Sequence, residues 1–99
     1  MFIVLLTYVK PLAEVDRRMR AHVKFLQEHY AAKTFIASGR QVPRTGGVIL
    51  ARAASKEALV EVMQRDPFVQ NGVATFEIVQ FRTSQHDPGF APFADDETA

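Results

Sequence analysis

The stretch that most limits this chain is its start. Phe2–Val9 reads FIVLLTYV, rich in β-branched and aromatic residues and free of charge, and so a strand. Alternation puts Phe2, Val4, Leu6 and Tyr8 on one side and Ile3, Leu5 and Val9 on the other. A strand apolar on both sides belongs in a sheet covered on both sides. The chain has 99 residues, enough for one domain. A domain of that size buries only roughly 60–65% of its unfolded surface, so the source of the second cover becomes a question.

The rest of the chain supplies one cover. Pro11 is suited to open a helix, and Val15, Met19, Val23, Leu26 and Tyr30 recur at helical spacing up to about Ala32. A short strand is expected over Thr34–Ser38, ended by Gly39. A loop with Pro43 and the Gly46-Gly47 pair follows, then a strand over Val48–Ala53. Ser55 reads as an N-cap, with Glu57 in the first turn. Leu59, Val62 and Met63 mark the apolar side of a second helix. Asp66 precedes Pro67, which disfavours helical backbone at Asp66, so this helix should end near Arg65. Asn71-Gly72 turns the chain into a last strand, ATFEIVQFR.

The order β-α-β-β-α-β fits a ferredoxin-like α+β fold, a four-stranded antiparallel sheet with two helices on one face. The other face would be a large apolar patch, which monomers rarely expose. The expected solution is a homodimer, or a higher oligomer built on one, with two sheets packed face to face. Residues 1–82 form the domain. Residues 83–99 are richer in proline and acid, and are expected to be disordered or to dock on the dimer, with Phe90 and Phe93 as anchors.

Charge and composition exclude several functions. Twelve basic and eleven acidic residues give a net charge of +1, so neither nucleic acid nor an anionic membrane is an expected partner. There is no cysteine, which removes disulfides, iron–sulfur clusters, thiolate zinc sites and cysteine nucleophiles. The glycines form neither a dinucleotide nor a phosphate-loop pattern, and no histidine or carboxylate cluster has metal-ligand spacing. No cofactor is therefore expected. The first apolar run is too short to span a bilayer and lacks the features of a signal peptide, so the cytoplasm is the expected location.

The chemistry-bearing candidates are few. His22 falls on the margin of the first helix's apolar stripe. A histidine there can act as a base near neutral pH if a carboxylate orients its second ring nitrogen. Asp66, restricted by Pro67, is a suitable carboxylate. It is equally well explained as a helix terminator, with His22 a satisfied core residue. His29 reads as a surface residue, and His86 lies in the tail. Ser38, Gly39, Arg40 and Arg44 fall in a segment that could hold a ligand oxygen or carboxylate, or form an ordinary hairpin loop. Phe68 either walls a pocket beside Asp66 or plugs a helix end.

Three segments, FIVLLTYVKPLAEVDRRMRAHVKFL, FIASGRQVPRTGGVILA and DPFVQNGVATFEIVQF, resemble the YCII-related (YciI-like) family over about residues 1–82. The resemblance rests on His22 in R-x-H-x-x-F-L, on Ser38-Gly39 with its Pro-Arg-Thr-Gly-Gly sequel, and on Asp66-Pro67-Phe68. It implies a dimeric α/β-barrel assembly and an active site built on a His–Asp pair, here His22 and Asp66. Family membership says less about the reaction; the activity expected of such a pair is cofactor-free acid–base chemistry of lyase (dehydrochlorinase) or isomerase type on a small aromatic or acidic metabolite. Ser38, Gly39, Arg44 and Phe68 would bind the substrate. Arg40 departs from the family pattern, where proline often follows the Ser-Gly pair. The alternative is a non-catalytic dimer that binds a small molecule or assists a partner enzyme.

Overall fold

The computed structural model describes residues 1–95; positions 96–99 of the expected tail lie outside that range. The elements run β1 (Phe2–Tyr8), α1 (Leu12–Arg17), α2 (Met19–Ala31), β2 (Phe35–Arg40), β3 (Gly46–Ala51), α3 (Lys56–Met63), α4 (Pro67–Gln70) and β4 (Ala74–Gln80), with a 3-10 segment at Pro88–Phe93. The strands form one sheet in the order β2-β3-β1-β4, and every neighbouring pair is antiparallel. This is the ferredoxin-like α+β arrangement that the element order predicts.

Alternation along β1 settles the layers. Phe2, Val4 and Leu6 are buried, with Ile49 and Ala51 of β3 and Ile78 of β4, against Val15, Phe25, Leu59, Met63 and Phe68 from the helices. Each large apolar side chain fully buried there contributes roughly 1.5–3 kcal/mol. The opposite face carries Ile3, Leu5, Val48 and Leu50, each half-buried, and Val79 at 42% exposure. Among the described residues, the helices contribute their buried side chains to the first face, as two-sided strands with one-sided helices require.

Two details differ from the sequence reading of the helices. The first helix is not continuous: Arg18 (φ −101°, ψ 0°) separates α1 from α2, and its N–H bonds to the Val15 carbonyl at 3.0 Å. Neither glycine nor proline marks the break. The second helix stops at Met63, and Asp66-Pro67, read as a terminator, also starts the short α4.

Strand β2 carries the irregularity that matters most for the site. Phe35 pairs with Ala51, but Ala37 pairs with Leu50 and Ser38 with Ile49. Ile36 is thus an extra residue, a β-bulge. In an unbroken strand Phe35 and Ser38 would face opposite sides of the sheet. The bulge turns both toward the helices, and Arg40, paired with Gly47, follows Ser38. The strand also runs beyond its expected end at Gly39 to Arg40.

The β2–β3 loop is held from its base. Gln41 Nε2 donates to the carbonyls of Leu6 (3.2 Å) and Gly47 (3.3 Å). Gly46 is required there: a Cβ would stand 1.7 Å from the Leu6 carbonyl oxygen. At the other end of the sheet, Asp95 accepts from the Met1 ammonium group at 2.9 Å and from the Thr83 N–H at 2.6 Å. Those bonds hold the Asp95 carboxyl down to about 2. Among the described residues no helix is long and apolar enough to cross a membrane.

Candidate functional site

The site begins with Asp66. Its backbone is extended (φ −62°, ψ 125°), the conformation a following proline favours. Pro67, with no N–H to leave unpaired, takes the first position of α4. Asp66 Oδ1 then accepts from the Phe68 N–H at 3.0 Å, capping the helix. The same oxygen lies 2.8 Å from His22 Nδ1. Helix punctuation and pairing with His22 are therefore both true of one carboxylate. Asp66 has no solvent exposure, and its Oδ2 is buried without a partner among the described residues.

His22 is 8% exposed. An ionised carboxylate only accepts, so the proton of a neutral His22 lies on Nδ1 and leaves Nε2 as an open acceptor. The ring stacks on Phe68, with centroids 3.9 Å apart and planes 7° from parallel. The sequence reading put His22 at the margin of the apolar stripe, with Val23 within it. The structure buries His22 with Val15 and Phe25 and leaves Val23 40% exposed. A polar ring can occupy that line because Asp66 supplies its hydrogen bond.

A cavity of about 490 Å³ opens beside the pair, a size suited to one small ligand. Leu6, Ile49, His22 and Phe68 are buried at its base, while Ser38, Gly39 and Arg40 are exposed at its mouth. Of the six residues named from sequence, His22, Ser38, Gly39, Arg44 and Phe68 line this cavity, and Asp66 stands behind the His22 ring.

Two of these residues are held by neighbours that the sequence reading missed. Ser38 Oγ and Tyr30 Oη are hydrogen-bonded at 2.5 Å. Arg44 donates to Asp16 and lies over the Tyr8 ring, 6.0 Å from its centroid. The bond to Asp16 above all, then the Tyr8 hydroxyl, raises the Arg44 pKa further. Tyr8 also meets Phe68 edge-on at 5.9 Å. Its alternation with Phe2, Val4 and Leu6 was the available signal: it faces the helix layer at the strand end, where the core gives way to the cavity. His29 is a correction. Expected at the surface, it is half-buried between Phe25 (4.7 Å) and Phe35 (5.1 Å), and that burial lowers its pKa. Among the described residues no group of three or more histidines, cysteines or carboxylates could hold a metal ion.

Fold and site together define a small ferredoxin-like protein with a helix-lined cavity and a buried His–Asp pair at its base. The chain belongs to the YCII-related family: the YCII-related domain matches residues 1–82. Among solved structures it is similar to 5-chloro-2-hydroxyhydroquinone dehydrochlorinase from Burkholderia phenoliruptrix AC1100, solved in complex with 2,5-dihydroxybenzoquinone. The TM-score is 0.69 at 17% identity, covering 83% of this chain and 94% of that one. At that identity the likeness is one of fold. Comparison with curated proteins gives no match.

Proposed function

We propose that this chain is a cofactor-free acid–base enzyme of lyase or isomerase type, acting on a small aromatic or acidic metabolite. The observation that carries the reading is the 2.8 Å contact between a buried carboxylate and His22 Nδ1 at the wall of a cavity that also holds two guanidinium groups. With Asp66 fixing the tautomer, Nε2 takes a proton from a ring hydroxyl or carbon, and Asp66 stabilises the imidazolium. In a dehydrochlorination the released electron pair expels chloride, and the sum is loss of HCl. In an isomerisation the same proton returns to another carbon. Ser38, the Gly39 backbone and Arg44 receive the developing oxyanion, and Phe68 holds the imidazole flat and excludes water. The fold shared with a dehydrochlorinase of a chlorinated hydroxyhydroquinone supports trying chlorinated, hydroxylated aromatics first, with and without a carboxylate.

The test is chloride release from chlorinated hydroxyhydroquinones and chlorinated hydroxybenzoates by the wild type, His22→Gln and Asp66→Asn. A positioned acid–base group contributes roughly 10²–10⁴ in rate, and each variant should lose that much. Full turnover in both variants removes the pair from catalysis. One observation favours the second reading, a binding or accessory protein: Asp66 caps α4, so folding alone explains its burial. Ligand-induced thermal stabilisation without product formation would support it.

The same proposal includes a homodimer. The uncovered apolar face of the sheet, Ile3, Leu5, Val48, Leu50 and Val79, supports packing against a second copy.

A further inference from the structure

We propose that Arg40 makes this cavity selective for a substrate bearing a carboxylate, a hydroxylated aromatic acid rather than a neutral phenol or quinol. The inference rests on the acid–base reading of the site and names its substrate class. Two guanidinium groups line the cavity, and they differ in their partners. Arg44 is bound to Asp16, the one carboxylate that lines the cavity with it, and its charge is answered within the protein. Asp66, behind the histidine ring, is answered by His22 and by the Phe68 N–H. Arg40 has no ion-pair partner among the described residues. Among the described residues it is the cavity's uncommitted cation.

Its position is built rather than accidental. The bulge at Ile36 turns Ser38 and Arg40 to the helix side together, and Arg40 stands opposite Gly47, which offers no side chain to fill the space. Two residues apart on a strand, Ser38 and Arg40 have Cα atoms about 7 Å apart and present a hydroxyl and a guanidinium on one side of the sheet. The walls between them and His22 are apolar: Leu6, Met19, Leu26 and Ile49. A ligand that meets these features has a flat apolar body, a hydroxyl near His22 and Ser38, and an anionic group at the mouth. Guanidinium binds carboxylate in a planar two-point geometry.

The test reads binding, so it is independent of turnover. Isothermal titration at low ionic strength would compare mono- and dihydroxybenzoates with the corresponding benzamides, which keep the shape and lose the charge. The best acid should bind the wild type about 10-fold or more tighter than its amide, the value of one charge-assisted contact. Arg40→Gln should abolish that preference while leaving the amide's affinity unchanged, and Arg40→Lys should restore part of it. Arg40 lies at the exposed mouth, so these variants are expected to fold, which a thermal melt checks. An acid preference that survives Arg40→Gln overturns the proposal, as does equal loss of acid and amide. Failure of every acid to bind the wild type at millimolar concentration also overturns it. If His22→Gln keeps full turnover while the Arg40-dependent preference stands, the acid–base reading fails and the carboxylate site remains.

Discussion

Replacing Asp66 separates its two tasks. In Asp66→Ala the Phe68 N–H loses its cap, which costs about 1 kcal/mol. The His22 Nδ1–H loses its acceptor at a buried position, and a hydrogen bond to a charged group is worth roughly 1.5–3 kcal/mol. The sum is about 2.5–4 kcal/mol, a large part of the roughly 5–15 kcal/mol available to a domain. For a chain near 100 residues, this corresponds to a drop in Tm of roughly 10–30 °C. Asp66→Asn keeps both the cap and a neutral acceptor for the imidazole. Its loss should be about 1–2 kcal/mol, mostly from the charge. Urea unfolding at neutral pH measures both variants. The ¹⁵N shifts of the His22 ring should report the Nδ1–H tautomer in the wild type. If Asp66→Ala costs less than about 1 kcal/mol, or no more than Asp66→Asn, the carboxylate holds nothing beyond the helix start. The coupled view of the site would then be wrong.

Two further outcomes follow from features away from the cavity. Burial chiefly lowers the His29 pKa, with Arg65 lowering it further and Glu28 opposing. The unfolded chain therefore binds this proton more readily than the folded one. The resulting stability is complete above the ordinary value of 6.5 and is lost as pH falls through it toward the folded value. His29→Gln should lose less stability than the wild type between about pH 7.5 and about pH 5, read by urea midpoints; an equal or steeper loss refutes this. At the sheet's uncovered face, light scattering at micromolar concentration should return twice the chain mass. A Leu5→Glu, Leu50→Glu double variant should return the single mass, and a monomeric wild type removes the dimer.

The strand and helix order was legible because each element carries a local signal. Alternation marked β1, Ser55 caps α3 as expected through the Ala58 N–H at 3.1 Å, and Asn71-Gly72 ends α4 with Gly72 at φ +68°. The features that shape the site were not local. The bulge at Ile36 exists only in the pairing with β3, so the sequence does not say which side Ser38 and Arg40 face. The gap at Arg18 has no composition to mark it. Asp66-Pro67-Phe68 carried its signal openly, since an acid before proline both stops one helix and starts another, and only the stop was read. His22 was placed one step from its true line because apolarity was used to draw the stripe. The contact with Asp66, forty-four positions on, makes a polar residue belong there.

The extra residue in β2 sets which hand that strand presents to the hollow. Sliding it by one position against β3 would iron the kink flat and keep the ladder, but every side chain beyond Phe35 would change sides. Ala37 and Gly39 would then look into the hollow, while the hydroxyl and the guanidinium would look out across the sheet. The alignment of one strand with its neighbour, and not the composition, therefore decides which side chains reach the hollow.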